Sequence, residues 1–246
     1  MLTTTLLGLA AVAAAAPVSQ SPFPAYTTSK AFRLILNVTD PSKDFTPSIN
    51  SQQIFSYLQA AGPARAGPAE ANGNKFYQYH DPSLGSKYPE FGGQLLTEAL
   101  RGPDTVLGFQ QANSTDYTRD KIYIDEGAGS PGVQISVGGD FPHVRPNELS
   151  GGYMTFAVCN VTVPRLFHAG TAWFLNLEWI HPSTRDGQFG LFVPEGCAPV
   201  RLLPECDTLH EVPEGSKAAP FHKAAREVRC YEDVKAIDWS KYVFAQ

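Results

Sequence analysis

The chain has 246 residues, 43% of them hydrophobic and only 17% charged, with a formal net charge of −5. A composition this apolar can bury a core, which excludes a disordered tail, and the weak acidic balance excludes a protein that grips nucleic acid through its phosphates. Its 21 glycines and 20 prolines supply many turns without reaching the roughly 25–30% that marks low-complexity chains, a balance that favours strands over long helices.

From the N-terminus, Leu6 to Val12 form a short apolar run, and Ala13 to Ala16 follow with small residues in an Ala-x-Ala pattern. This is the make-up of a cleavable secretory signal, so residues 1–16 are expected to be removed and 17–246 to form a single secreted β-rich domain. The run is too short to cross a bilayer core of about 30 Å as a helix, and no membrane attachment is expected after cleavage. Three sequons, at Asn37, Asn113 and Asn160, suit the same destination as glycosylation sites. Asn113, in the polar stretch QQANSTDYTRD, is the preferred carrier.

Alternating apolar residues then mark half-buried strands: Phe32, Leu34, Leu36 and Val38; Ile122 and Ile124; Val133, Ile135 and Val137; Met154, Phe156 and Val158; Trp173, Leu175, Leu177 and Trp179; Phe189, Leu191 and Val193. Residues 60–75, rich in Ala, Gly, Pro and Asn, read as one long mobile surface loop, because those types disfavour both helix and central strand. Gly127 to Gly132 and the dipeptide Asp186-Gly187 predict the turns of two antiparallel hairpins. Together these features predict a mainly β fold, an antiparallel β-sandwich or barrel-like domain. Phe221, Ala224, Ala225 and Val228 recur at helical spacing and predict a short C-terminal helix, although a strand through EVRCY would use the same residues differently.

All four cysteines, Cys159, Cys197, Cys206 and Cys230, lie in the last third, and an even number in an oxidising destination predicts two disulfides. Three connectivities are open; the sequence-local one, Cys159–Cys197 with Cys206–Cys230, is preferred. Each link would stabilise by roughly 3–4 kcal/mol at most on the loop-entropy model. No Cys-x-x-Cys, His-x-His or His-Glu-x-x-His spacing offers a metal site, and no metal is expected.

Gly127-Ala128-Gly129-Ser130-Pro131-Gly132 fits the G-x-G-x-x-G string after the strand KIYID. A phosphate cradle must open a helix, whereas VQISVGG continues as strand and Pro131 lacks an amide, so no cofactor is expected. Ser130 fails as a nucleophile elbow, since Ala128 occupies the leading glycine position and Pro131 cannot donate to an oxyanion. The histidines, His80, His143, His168, His181, His210 and His222, stand singly and read as surface or hydrogen-bonded core groups. Glu178 shares a strand face with Asn176, opposite Trp173 and Trp179, as a carboxylate in a sugar cleft would. Glycosidase chemistry needs a second carboxylate about 5–10 Å away, for which Asp125, Glu126, Asp140 and Asp186 are the candidates. An exposed strand carboxylate opposite a core face has the same pattern.

Three stretches, SKAFRLILNVTDPSKDFTPSI (Ser29 to Ile49), VPEGCAPVRLLPEC (Val193 to Cys206) and VRCYEDVKAIDW (Val228 to Trp239), resemble a group of small secreted proteins of filamentous fungi. That group is a domain family of unknown function, some of whose members carry an IgE-binding or allergen-type label. The resemblance implies a secreted, allergen-like protein and supplies no catalytic residue to carry over. The reading is therefore a secreted, glycosylated, disulfide-stabilised, non-enzymatic protein, cell-wall associated or free, that binds cell-wall glycan or host protein. Two alternatives stand against it: an extracellular hydrolase with Glu178 in a cleft, and a carrier whose barrel interior is apolar and empty.

Overall fold

The computed structural model describes residues 24–57, 63–80, 93–99, 102–112, 118–136, 149–150, 155–164 and 171–242; residues 1–16, Asn113, Asp140, His143 and His168 lie outside them. The strands are β1 (Thr27–Ser29), β2 (Ala31–Val38), β3 (Gln53–Tyr57), β4 (Arg65–Ala69), β5 (Lys75–His80), β6 (Gly93–Ala99), β7 (Gly102–Ala112), β8 (Arg119–Glu126), β9 (Gln134–Ile135) and β10 (Leu149–Ser150). They continue with β11 (Thr155–Pro164), β12 (Thr171–Ile180), β13 (Pro182–Arg185), β14 (Gln188–Leu191), β15 (Cys197–Asp207) and β16 (Val228–Cys230), with the helix α1 (Ala219–Lys223) before the last. Of the two β architectures expected, the barrel is the one formed. Strands β2, β5, β6, β7, β8, β12, β11 and β15 pair in that cyclic order, each antiparallel to its neighbours, and β15 returns to β2.

Closure removes the unpaired edges that an open sheet would offer. Period-two alternation then sends one face inward: Phe32, Leu34 and Leu36 of β2 meet Phe76, Leu95, Phe109, Ile122, Ile124, Phe156, Val158, Leu177, Trp179, Val200 and Leu202 in one buried cluster. Aromatic rings run through it in contact, with centroids 6.5 Å apart for Phe32–Phe76, 6.4 Å for Phe76–Phe109, 6.3 Å for Phe109–Phe156 and 5.4 Å for Phe156–Trp179. These side chains pack against one another inside the barrel.

β2 is buried on both faces. Its outward Ile35 packs with Leu203, Tyr231 and Val234 beneath the chain that follows β16. The Cys206–Cys230 disulfide ties that segment to β15, and Cys159–Cys197 joins β11 to β15 at residues directly opposite in register. This is the sequence-local pairing.

The expected loop at 60–75 is corrected by β4, which pairs with β3 along its length and reaches β8 at Arg65 opposite Tyr123. Ala66, Gly67 and Pro68 are buried, and a β-carbon on Gly67 would collide with the carbonyl oxygen of Leu175 in β12. The small residues that read as loop are there because two backbones pass too closely for larger ones.

The expected hairpin around Gly127 to Gly132 does not form: β8 pairs with β7, β4 and β12, and β9 pairs with β10. The glycine segment folds back over β6 and β7, with the Ser130 amide donating to Phe109 O at 2.9 Å and the Gly132 amide to Gly93 O at 2.9 Å. A β-carbon on Gly129 would stand 2.7 Å from Leu95 O. The segment then delivers Val133 and Ile135 into the barrel core.

The Asp186-Gly187 turn is present, with φ of 52° and 77°, the positive values a two-residue hairpin demands. Its strand β14 is not half-buried, however: it pairs only with β13, leaving Phe189 77% and Leu191 45% exposed. At the other end α1 spans five residues, and Val228 of the predicted helical stripe belongs to β16. Pro220 near the start of α1 is tolerated there because its missing N–H has no helical partner to lose.

Candidate functional site

Glu178 lies in the barrel wall, not in a cleft. Its side chain is 2% exposed, and its Oε2 accepts from Arg119 Nη1 of β8 at 3.3 Å. The register sets Glu178 opposite Lys121, so Asp125, four residues further along β8, is about 13 Å away at the usual strand rise, and Glu126 is further still. Asp186 sits on the β13–β14 turn with its side chain 94% exposed. The structure thus brings none of these three described acids into position as a second carboxylate. Asn176 is fully buried on the same strand, its amide donating to Leu177 O.

A different acid stands near that end of the barrel. Asp120, buried on the inward face of β8, accepts from Gln111 at 2.5 Å and contacts His181 Nε2 at 2.6 Å. His181 is thereby hydrogen-bonded at a half-buried position.

The sequons differ in setting. Asn160 on β11 is exposed, whereas Asn37 is held in β2 at 9% exposure, opposite Arg201.

The constellation that sequence reading missed is at Glu98, near the end of β6. His210 Nε2 lies 2.9 Å from Glu98 Oε2, and His222 Nε2 contacts Glu98 Oε1. The His222 ring is anchored from its other side by donation of Nδ1–H to His210 O at 3.1 Å. Tyr77 of β5 packs edge-on against it at 4.8 Å between centroids. Burial of the Tyr77 hydroxyl, and next the negative charge of Glu98, push the phenol well above the ordinary tyrosine range. Three residues separated by 112 and 12 positions carry no common motif; only closure of β5 and β6 against the returning chain joins them. Among the described residues no group of three His, Cys, Asp or Glu side chains is arranged to hold a metal ion.

Glu98 also borders an open polar cleft of about 270 Å³ between β2, β5 and β6, lined by Arg33, Asn72, Asn74, Lys75 and Thr97. Its walls are fixed by their own bonds. Arg33 Nε and Lys75 Nζ grip Asp207 at 2.9 and 3.0 Å, and Thr97 donates to Lys75 O at 2.6 Å. Burial pushes the Asp207 carboxyl up, but hydrogen bonds from Lys75 and the Thr208 amide and the charges of Lys75 and Arg33 outweigh it and hold the group below the usual carboxylate range.

A disulfide-linked antiparallel barrel with an apolar core and a polar cleft on its wall defines a compact β protein suited to an oxidising destination. The chain belongs to the family described as a domain of unknown function, DUF7907, whose model matches residues 29–206, from the last residue of β1 to the penultimate residue of β15. It is 32% identical to the antigenic protein SchS34 of Stachybotrys chartarum, across 89% of this chain and 94% of that relative. The fungal resemblance carried by the three sequence stretches is therefore correct. No solved structure matches the chain. No helix among the described residues is long and apolar enough to cross a membrane.

Proposed function

We propose that the mature protein, released by cleavage after residue 16 and glycosylated at Asn160 and Asn113, is an extracellular binding protein that takes cell-wall glycan at the cleft beside Glu98. Its antigenicity, by likeness to the Stachybotrys protein, is an incidental property of a stable exported barrel. The observation that carries this reading is the open cleft itself, in which Arg33, Asn74, Lys75 and Thr97 are oriented by hydrogen bonds and ion pairs to their neighbours. Sugar hydroxyls need such fixed, mixed donors and acceptors. The sealing of Glu178 weighs against the hydrolase alternative.

Co-sedimentation of the purified secreted protein with insoluble chitin, β-glucan and mannan tests the reading. Retention on one polymer, reduced by Asn72→Gly and Lys75→Ala, is the expected result. Retention on none, or retention that both variants leave intact, defeats it.

One observation favours a host protein as partner instead: Phe189 and Leu191 on β14 are exposed among the described residues. Loss of binding to host proteins in Phe189→Ser, with glycan retention absent, would decide for that surface.

A further inference from the structure

We propose that Arg65 is the centre of a second ligand site on the barrel wall, separate from the cleft beside Glu98, and that this site takes the carboxylate of a ring-bearing ligand. The placement comes from register. Tyr57 of β3 stands directly opposite Arg65 of β4, and Arg65 directly opposite Tyr123 of β8. Residues opposed in this way project from one face of a sheet, and neighbouring strands lie about 4.8 Å apart. The three side chains therefore form a row with the arginine between two tyrosines.

The guanidinium in that row is not spent. Its Nε and Nη1 atoms are shielded from solvent and have no hydrogen-bond partner among the described residues. Its Cζ lies 5.9 Å from the centroid of the Tyr123 ring, a contact that uses the charge and none of the N–H groups. Arg33 and Arg119, by contrast, meet carboxylates supplied by the chain, Asp207 and Glu178. Arginine does not lose its proton, and a shielded donor without an acceptor is costly, so Arg65 calls for an acceptor from outside the fold.

The shielding has a local source. Gly67, two residues along β4 and so on the same face as Arg65, sits against the carbonyl of Leu175, and a β-carbon there would lie 3.2 Å from Tyr57 Cε2. The Tyr57 hydroxyl donates to Pro68 O, which fixes that ring. Arg65 thus stands beside a rigid wall of backbone and aromatic ring, while the residue as a whole stays partly open to solvent. The planar guanidinium offers paired N–H groups that match the two oxygens of a carboxylate. Lys121 and Asp125, two residues to either side of Tyr123 on the same face, offset one another. The charge left to neutralise is that of one guanidinium, which suits a carboxylate better than a phosphate dianion. The phenol rings on either side supply surfaces for the ring that bears it, a uronic-acid sugar or an aryl acid.

The test is a titration of the isotope-labelled full secreted protein near pH 7, where both acids are ionised, at constant ionic strength. Sodium glucuronate, sodium benzoate, glucose and inorganic phosphate are added in separate arms while arginine Nε–H resonances are followed. The resonance missing in Arg65→Lys belongs to Arg65; it should move saturably with glucuronate or benzoate and stay still with glucose. Saturation by glucuronate alone supports a uronate site, by benzoate alone an aryl-acid site, and by both a site that reads the shared carboxylate. Backbone amides of β4 and β8 report affinity in the variants. Arg65→Met, which keeps the apolar stem, should weaken binding about tenfold or more. Its unfolding midpoint without ligand should equal or exceed that of the wild type, since no pairing within the fold is lost. Absence of saturation with both acids, an equal response to glucose, tighter binding of phosphate, or unchanged affinity in Arg65→Met overturns the proposal. A lowered midpoint in ligand-free Arg65→Met also overturns it, because Arg65 would then have its partner inside the fold.

Discussion

Arg119 and Glu178 stand on adjoining strands of the barrel wall with guanidinium and carboxylate 3.3 Å apart, the acid sealed and the base partly open to solvent. The pair marks Glu178 as a structural group. Glu178→Ala would leave a cation facing a buried wall and is expected to cost about 1–3 kcal/mol, less than a fully buried pair because Arg119 can reach water. Urea unfolding monitored by tryptophan fluorescence measures it; an unchanged midpoint would place the pair among inconsequential surface contacts.

Gly67→Ala tests the close approach of β4 to β12. The added methyl meets backbone, which cannot rotate away, so a loss of about 1–3 kcal/mol is expected. Gly190→Ala, where the nearest atom to an added β-carbon is Phe192 Cζ at 3.7 Å, serves as the control and should shift the midpoint by less than about 0.5 kcal/mol. Equal effects in the two variants would mean that β4 does not sit against β12 as described.

Tyr77 buries a hydroxyl that has no hydrogen-bond partner among the described residues. Removing it as Tyr77→Phe should stabilise the protein by about 1 kcal/mol, since the desolvation cost disappears and the ring packing stays. The pH dependence has a definite sign. With the folded phenol pushed up, the native state keeps a proton that the unfolded chain gives up near pH 10, so stability falls as pH rises beyond that range. Tyr77→Phe should flatten that alkaline limb of the denaturation curve, and an unaltered limb would contradict the burial.

Asp207 governs the acid side. Its carboxyl is depressed in the folded state, so its contribution is complete above the ordinary aspartate range near pH 3.9 and is lost as pH falls through the lower folded value. Asp207→Asn should lower stability at neutral pH and reduce the slope of acid unfolding. A variant whose acid limb matches the wild type would show that Arg33 and Lys75 do not hold the carboxylate in solution.

The strands were legible wherever one face is buried and the other is not: Ile122 and Ile124 announce β8 because period two is what a half-buried strand requires. Cysteine pairing was legible too, since locality in sequence coincided with opposition in register at Cys159 and Cys197. Where tertiary contact reversed a local signal, sequence reading failed. Gly67 and its alanine neighbours look like a loop until the backbone of Leu175 is placed beside them, and Gly129 looks like a hairpin turn until it is laid over Leu95. Phe189 alternates correctly, but alternation says nothing about whether a second sheet covers the strand. Glu98, His210 and His222 were out of reach altogether, because no periodicity links one strand residue to two histidines on a chain that returns more than a hundred residues later.

The central claim, that this barrel works by holding glycan at the cleft beside Glu98, is tested most directly by a binding isotherm of the secreted protein on purified insoluble wall polysaccharide, run alongside Lys75→Ala. A saturable isotherm on one polymer, weakened in the variant while its unfolding midpoint confirms an intact fold, is the result expected. Identical isotherms for the two proteins, or release of reducing sugar that Glu178→Gln abolishes, would contradict it.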